Sequence, residues 1–230
     1  MTEYNQSDLL VLRNWCDSEN GLFSRRPGQH VSMLYTDYDN SIGFFIESIK
    51  RATSEEKDQY SEEIFECLYD MARHDDREAI RETFEYCPQV EEWWGYGDEL
   101  TPLGEAISNS AQNAICAFID VGYDIEACAS GTGDYALDLV EEGCSDDFVL
   151  FMVEHGAEIT FPFVYYTIIS DKNIQLARKM LSTSKRRVWA LDKESIDYLC
   201  DNKLDKSISD KEHEFAMKII REEIEKQFEN

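Results

Sequence analysis

The sequence predicts an all-α fold, a helical-repeat solenoid closed by helical caps at both ends. Three observations lead there. The chain is similar to itself at a spacing of 34 to 35 residues. A glycine returns at the same place in that frame. Outside the frame, both flanks contain stretches that read as helices, the last of them long and amphipathic.

Residues 101–126, TPLGEAISNSAQNAICAFIDVGYDIE, align with residues 135–159, YALDLVEEGCSDDFVLFMVEHGAEI, at an offset of 34. Leu103 falls on Leu137, Ala106 on Val140, Ala114 on Phe148 and Ile115 on Val149. Phe118 meets Met152, Ile119 meets Val153, Gly122 meets Gly156 and Ile125 meets Ile159. Moving back by 35, Leu68, Ala79, Ile80, Phe84 and Val90 fall on Leu103, Ala114, Ile115, Ile119 and Ile125. Forward, FVYYTIISDKNIQLARKML (163–181) repeats the pattern after a shorter connection. Each unit reads as a short helix, a polar turn, a second helix, a glycine and an extended segment. Pro102 suits the first turn of a helix, where its missing N–H costs no bond, and Thr101 is placed to cap it. Gly122 and Gly156 are expected in the left-handed conformation that ends a second helix.

This plan resembles the ankyrin repeat over residues 62–182. Thr101-Pro102-Leu103-x-x-Ala106 matches the family's Thr-Pro-Leu-His-x-Ala start, with Gly104 in place of the histidine. Gly122-Tyr123-Asp124-Ile125 and Gly156-Ala157-Glu158-Ile159 match its Gly-Ala-Asp-Val exit. The neighbouring units lack Thr-Pro-Leu, Glu141 stands where its counterparts are apolar, and the unit starting near Ser61 ends in YCPQVEE rather than a glycine. The resemblance implies an ankyrin-like solenoid with short hairpin fingers. It divides the chain into an N-terminal helical cap region (1–60), ankyrin-like repeats (61–184) and a C-terminal helical cap (185–230).

Within the caps, SDLLVLRNWCDS (7–18) and SIGFFIESIKRA (41–52) read as helices, and 24–41 as turn-rich. KESIDYLC (193–200) and DKEHEFAMKIIREEIEKQF (210–228) read as two more, the latter with Phe215, Ile219, Ile220 and Ile224 on its apolar side. End repeats of a solenoid expose apolar faces unless covered, which is the role expected of these helices. Lys185-Arg186-Arg187 reads as a solvated turn or an ion-pair donor to the acidic repeats.

Charge is the outlier in composition: 48 acids against 22 bases give a net −26. Residues 1–60 hold 10 acids and 6 bases, residues 61–160 hold 25 and 3, and residues 161–230 hold 13 of each. No Lys or Arg occurs between Arg81 and Lys172, a stretch with 19 acids. Self-repulsion at that density costs folding stability. The balanced C-terminal third argues against a uniform acidic bias and points to a basic partner.

Little in the sequence speaks for catalysis. The four histidines (His30, His74, His155, His213) stand at no metal-ligand spacing with each other or with cysteine. SGTGD (130–134) lacks the lysine of a phosphate loop and reads as a turn. The many carboxylate pairs belong to a solvated surface rather than to a cleft. No catalytic residue, cofactor or metal site is expected. The seven cysteines, odd in number and set in apolar patterns, are expected to be free. Without a visible secretory signal or membrane span, the protein is expected to be soluble and cytoplasmic.

The ankyrin plan makes EEWWGYGD (91–98) a protruding finger, and fingers with the first helices form the surface through which such proteins bind partners. The expected partner-binding residues are Glu91, Glu92, Trp93, Trp94, Tyr96, Asp98 and Glu99, joined by Tyr123, Asp124, Glu126 and Asp134 along the following finger. Aromatic anchors with an acidic rim have the composition of a binding hot spot. The alternative for the tryptophans is that one packs into the array while the other lies along a neighbouring finger. The expected function is that of an acidic inhibitor or immunity protein, an antitoxin or anti-defence protein. It would neutralise a basic nuclease, toxin or DNA/RNA-binding protein by nucleic-acid mimicry, with carboxylates in place of phosphates and no direct nucleic-acid or membrane contact. The alternative is an ankyrin-repeat adaptor or scaffold.

Overall fold

The computed structural model describes residues 38–59, 61–88, 90, 100–128, 135–140, 144–183 and 206–228. Helix accounts for 74% of them, and no β-strand occurs among the described residues. The expected helix over 7–18, most of the turn-rich stretch 24–41, the predicted finger 91–98 and the helix over 193–200 lie outside them. Two compact units divide the chain, one of residues 1–123 with 130–132 and one of residues 124–129 with 133–230.

The first unit contains α1 (Tyr38–Arg51), α2 (Ser54–Gln59), α3 (Ser61–Arg73), α4 (Arg77–Tyr86), α5 (Pro102–Ser108) and α6 (Gln112–Asp120). Helix α1 starts at Tyr38, three residues before the apolar pattern that predicted it at 41. The helices pack in rows, α3 on α5 and α4 on α6, with α1 against α4. Leu68 and Met71, Ile80, Leu103 and Ile107, and Ile115 and Phe118 are fully buried in its core.

Local geometry repeats with the sequence frame. Helices α3 and α5 both end in a left-handed residue, Asp75 and Ser110, each at φ 55°. The following N–H closes each turn, Asp76 onto Met71 O (2.9 Å) and Ala111 onto Ala106 O (2.9 Å). After α6 the same closure uses Gly122 (φ 108°), with Tyr123 N–H on Phe118 O at 3.0 Å. These are Schellman ends, in which a residue with positive φ lets orphan carbonyls find donors. The predicted N-cap is present: Thr101 Oγ1 accepts from Gly104 N at 3.2 Å, with Pro102 in the first turn.

The second unit holds a 3-10 turn (Ala136–Leu139), α7 (Asp146–Glu154), α8 (Phe161–Ile169), α9 (Ile174–Thr183) and α10 (Asp210–Phe228). Helix α7 ends as α6 does, with Gly156 at φ 104° and Ala157 N–H on Met152 O at 3.0 Å. Helix α8 reuses the α5 start: Thr160 Oγ1 accepts from Phe163 N at 3.3 Å, and Pro162 lies in the first turn. Helix α9 packs on α7, α8 and α10, and α10 also covers α8. Tyr165, fully buried in α8, shares a 2.8 Å hydrogen bond with buried His213 of α10.

Two sequence expectations are corrected. Where the unit at 135–159 was expected to open with a short α-helix, the described residues 135–140 form a 3-10 turn over Ala136–Leu139. Val140, at φ −70° and ψ 123°, is extended and ends the turn. In α10, Phe215 is 50% exposed, while Ala216, Met217, Ile219, Ile220 and Ile224 are buried. Five residues at 100° each place Phe215 about 140° around the helix from Ile220, off the covered face.

Candidate interaction surface

Three bases of the first unit, Lys50, Arg73 and Arg77, join neighbouring helices. Lys50 Nζ lies 2.9 Å from Glu82 Oε1, linking α1 to α4. Arg73 Nε lies 2.7 Å from Glu105 Oε1, linking α3 to α5, and its Nη1 is 3.1 Å from the buried Asp70. Arg77 Nη2 lies 2.6 Å from Asp120 Oδ2, linking α4 to α6. Burial opposes the charge on Arg73, but Glu105 and Asp70 outweigh it and hold the guanidinium above its ordinary value. Solvent screens pairs as exposed as these, so their effect is on register and charge more than on stability.

Polar contacts reinforce the same junctions. Asp75 reaches from the α3–α4 turn to α6, where Oδ1 accepts from Ala114 N at 2.9 Å and Oδ2 from Asn113 Nδ2 at 2.7 Å. Asp76 caps α4 through Ala79 N at 3.0 Å and accepts from the Tyr38 hydroxyl at 3.1 Å. The Tyr38 ring stacks flat on His74, 3.9 Å between centroids. Burial and the Asp76 carboxylate hold the Tyr38 hydroxyl far above its ordinary pKa.

The sequence missed these residues as structural ties, because their partners lie 32 to 43 positions away. The one available signal was Asp75 in the register of Ser110, ahead of a second helix whose N-cap, Ala111, has no side-chain acceptor.

Among the predicted site residues, Glu91, Glu92, Trp93, Trp94, Tyr96, Asp98, Glu99 and Asp134 lie outside the described residues. Both roots of the 91–99 segment are held: Val90 is fully buried, and the Leu100 carbonyl accepts from the Tyr69 hydroxyl at 2.8 Å. Tyr123 is half-buried in an aromatic cluster, its ring 5.5 Å from Phe84 and 6.4 Å from Phe118. Asp124 is exposed and accepts from Glu126 N at 3.1 Å.

Glu126 braces the second unit. Its Oε2 accepts from Ala136 N at 2.9 Å and its Oε1 from Glu158 N at 2.7 Å, tying the 3-10 turn to the segment before α8. Burial raises its pKa above the ordinary carboxylate value. The two N–H bonds pull the other way, and the charges of Glu158 and Asp124 add to the rise. The structure therefore assigns an internal task to Glu126 and leaves Asp124 facing solvent.

Further exposed carboxylates are Glu78 and Glu85 on α4, Asp138 on the 3-10 turn, and Asp146, Asp147 and Glu154 on α7. Described histidines outside the core end helices, with His74 Nδ1 on Asp70 O (2.9 Å) and His155 Nδ1 on Phe151 O (2.8 Å). Among the described residues no His/Cys/Asp/Glu group of three or more is arranged to hold a metal ion. There too, no helix is long and apolar enough to cross a membrane. Cys67, Cys87, Cys116, Cys128 and Cys144 are thiols rather than disulfides, and burial pushes Cys87 up to about 11.

Comparison of the chain with family models, curated proteins and solved structures finds no match.

Proposed function

We propose that the chain is a non-catalytic, ankyrin-like protein-binding module whose acidic array occupies the basic surface of a partner protein in the cytoplasm. The observation that carries this reading is how the bases of the acidic stretch are engaged. Residues 61–160 hold three bases against 25 acids, and two of the three, Arg73 and Arg77, tie one helix pair to the next. These two cations are engaged within the first unit, while exposed carboxylates face outward. Such a surface repels itself, and a basic partner relieves that repulsion on binding.

The ankyrin-like part of the proposal draws support from the rows of α3 on α5 and α4 on α6, and from Schellman ends recurring in register. Helix α1 extends the first unit's pattern. Buried Phe45 and Ile49 lie 35 residues before Ile80 and Phe84, and α1 packs on α4 as α4 packs on α6. We therefore take α1 as the second helix of an upstream, degenerate repeat. The held roots at Val90 and Leu100 suit a finger between them.

The partner chemistry that fits is a phosphate-binding surface, as on a nuclease, a toxin acting on nucleic acid, or another DNA/RNA-binding protein. Carboxylates would replace the duplex charge of about one per 1.7 Å, making the chain an inhibitor, immunity protein, antitoxin or anti-defence protein. The adaptor reading has one observation in its favour, the exposed Tyr166 (38%) and Phe215 (50%), which offer apolar contact. Affinity capture from native lysate at low and high salt, with identification of the bound protein, separates the two. A phosphate mimic releases its partner steeply as salt rises, and an apolar adaptor retains it. Retention of the same partner at high salt counts against the mimic.

A further inference from the structure

We draw no further inference here: the strongest candidate, the outward face of α8 with Pro162, Phe163 and Tyr166, is an exposed helix face for which nothing in the structure shows what covers it.

Discussion

The Asp75 carboxylate caps a helix that belongs to the next pair, its Oδ1 2.9 Å from the Ala114 amide. Ala114 is the third residue of α6, whose own N-cap, Ala111, has no side-chain acceptor. The carboxylate thus supplies a missing cap and places negative charge at the positive end of α6. Replacing Asp75 with Ala removes the cap and puts an alanine at φ 55°. The expected loss is about 2 kcal/mol, read as a lower urea midpoint. Asp75→Asn keeps an acceptor and tolerates the backbone, so it should lose about half as much. Equal midpoints for Asp75→Ala and the parent chain would show the contact to be idle.

Gly122 and Gly156 hold the same place after α6 and α7, at φ 108° and 104°. A Cβ at Gly122 meets no heavy atom within 4 Å, so only the backbone conformation resists a side chain there. Gly122→Ala should therefore cost about 1 to 2 kcal/mol without disturbing neighbours. Denaturant unfolding gives the cost, and circular dichroism should show unchanged helix content in the folded variant.

The pH dependence of the second unit should carry a component from Glu126. Its folded pKa is raised by burial and by Glu158 and Asp124, so the folded state holds the proton more tightly than the unfolded chain does. The resulting stability is fully present below the unfolded carboxylate value of about 4.3 and is lost as pH rises through the folded value. Glu126→Gln does not titrate, so the parent should lose stability relative to this variant as pH rises through that window. Parallel stability curves for the two proteins over that range would remove the assignment.

Salt and charge reversal test the proposed binding surface. With 25 acids and 3 bases over residues 61–160, added salt should raise the melting temperature by screening self-repulsion. Changing Glu91, Glu92, Asp98 and Glu99 to Lys should preserve folding and slow association with the captured partner more than it speeds dissociation. Trp93→Ala or Trp94→Ala should instead raise the off-rate, because a desolvated aromatic anchor holds the formed complex. Stopped-flow kinetics across a salt series read both effects. Unchanged rates in a folded quadruple variant would turn the argument towards the adaptor.

Local signals in the sequence determined much of this protein. Thr101-Pro102 marked the start of α5, and Gly122 and Gly156 marked the ends of α6 and α7, because capping and positive φ depend on one or two adjacent residues. The apolar register placed Leu68, Ile80, Leu103, Ile115 and Phe148 in the core, since burial follows helical periodicity. The span of α10, Asp210–Phe228, was legible as an amphipathic run, although the exposure of Phe215 was not.

Tertiary structure alone decided which charges stay at the surface. Glu126, Asp75 and Asp124 look alike as acidic residues in connections between helices. Glu126 turned out to brace two amides, Asp75 to cap a distant helix, and Asp124 to remain exposed. The pairings of Arg73 with Glu105 and Arg77 with Asp120 were equally hidden. A carboxylate's role depends on which donors the fold brings within hydrogen-bond reach, and those donors sit dozens of residues away in the chain.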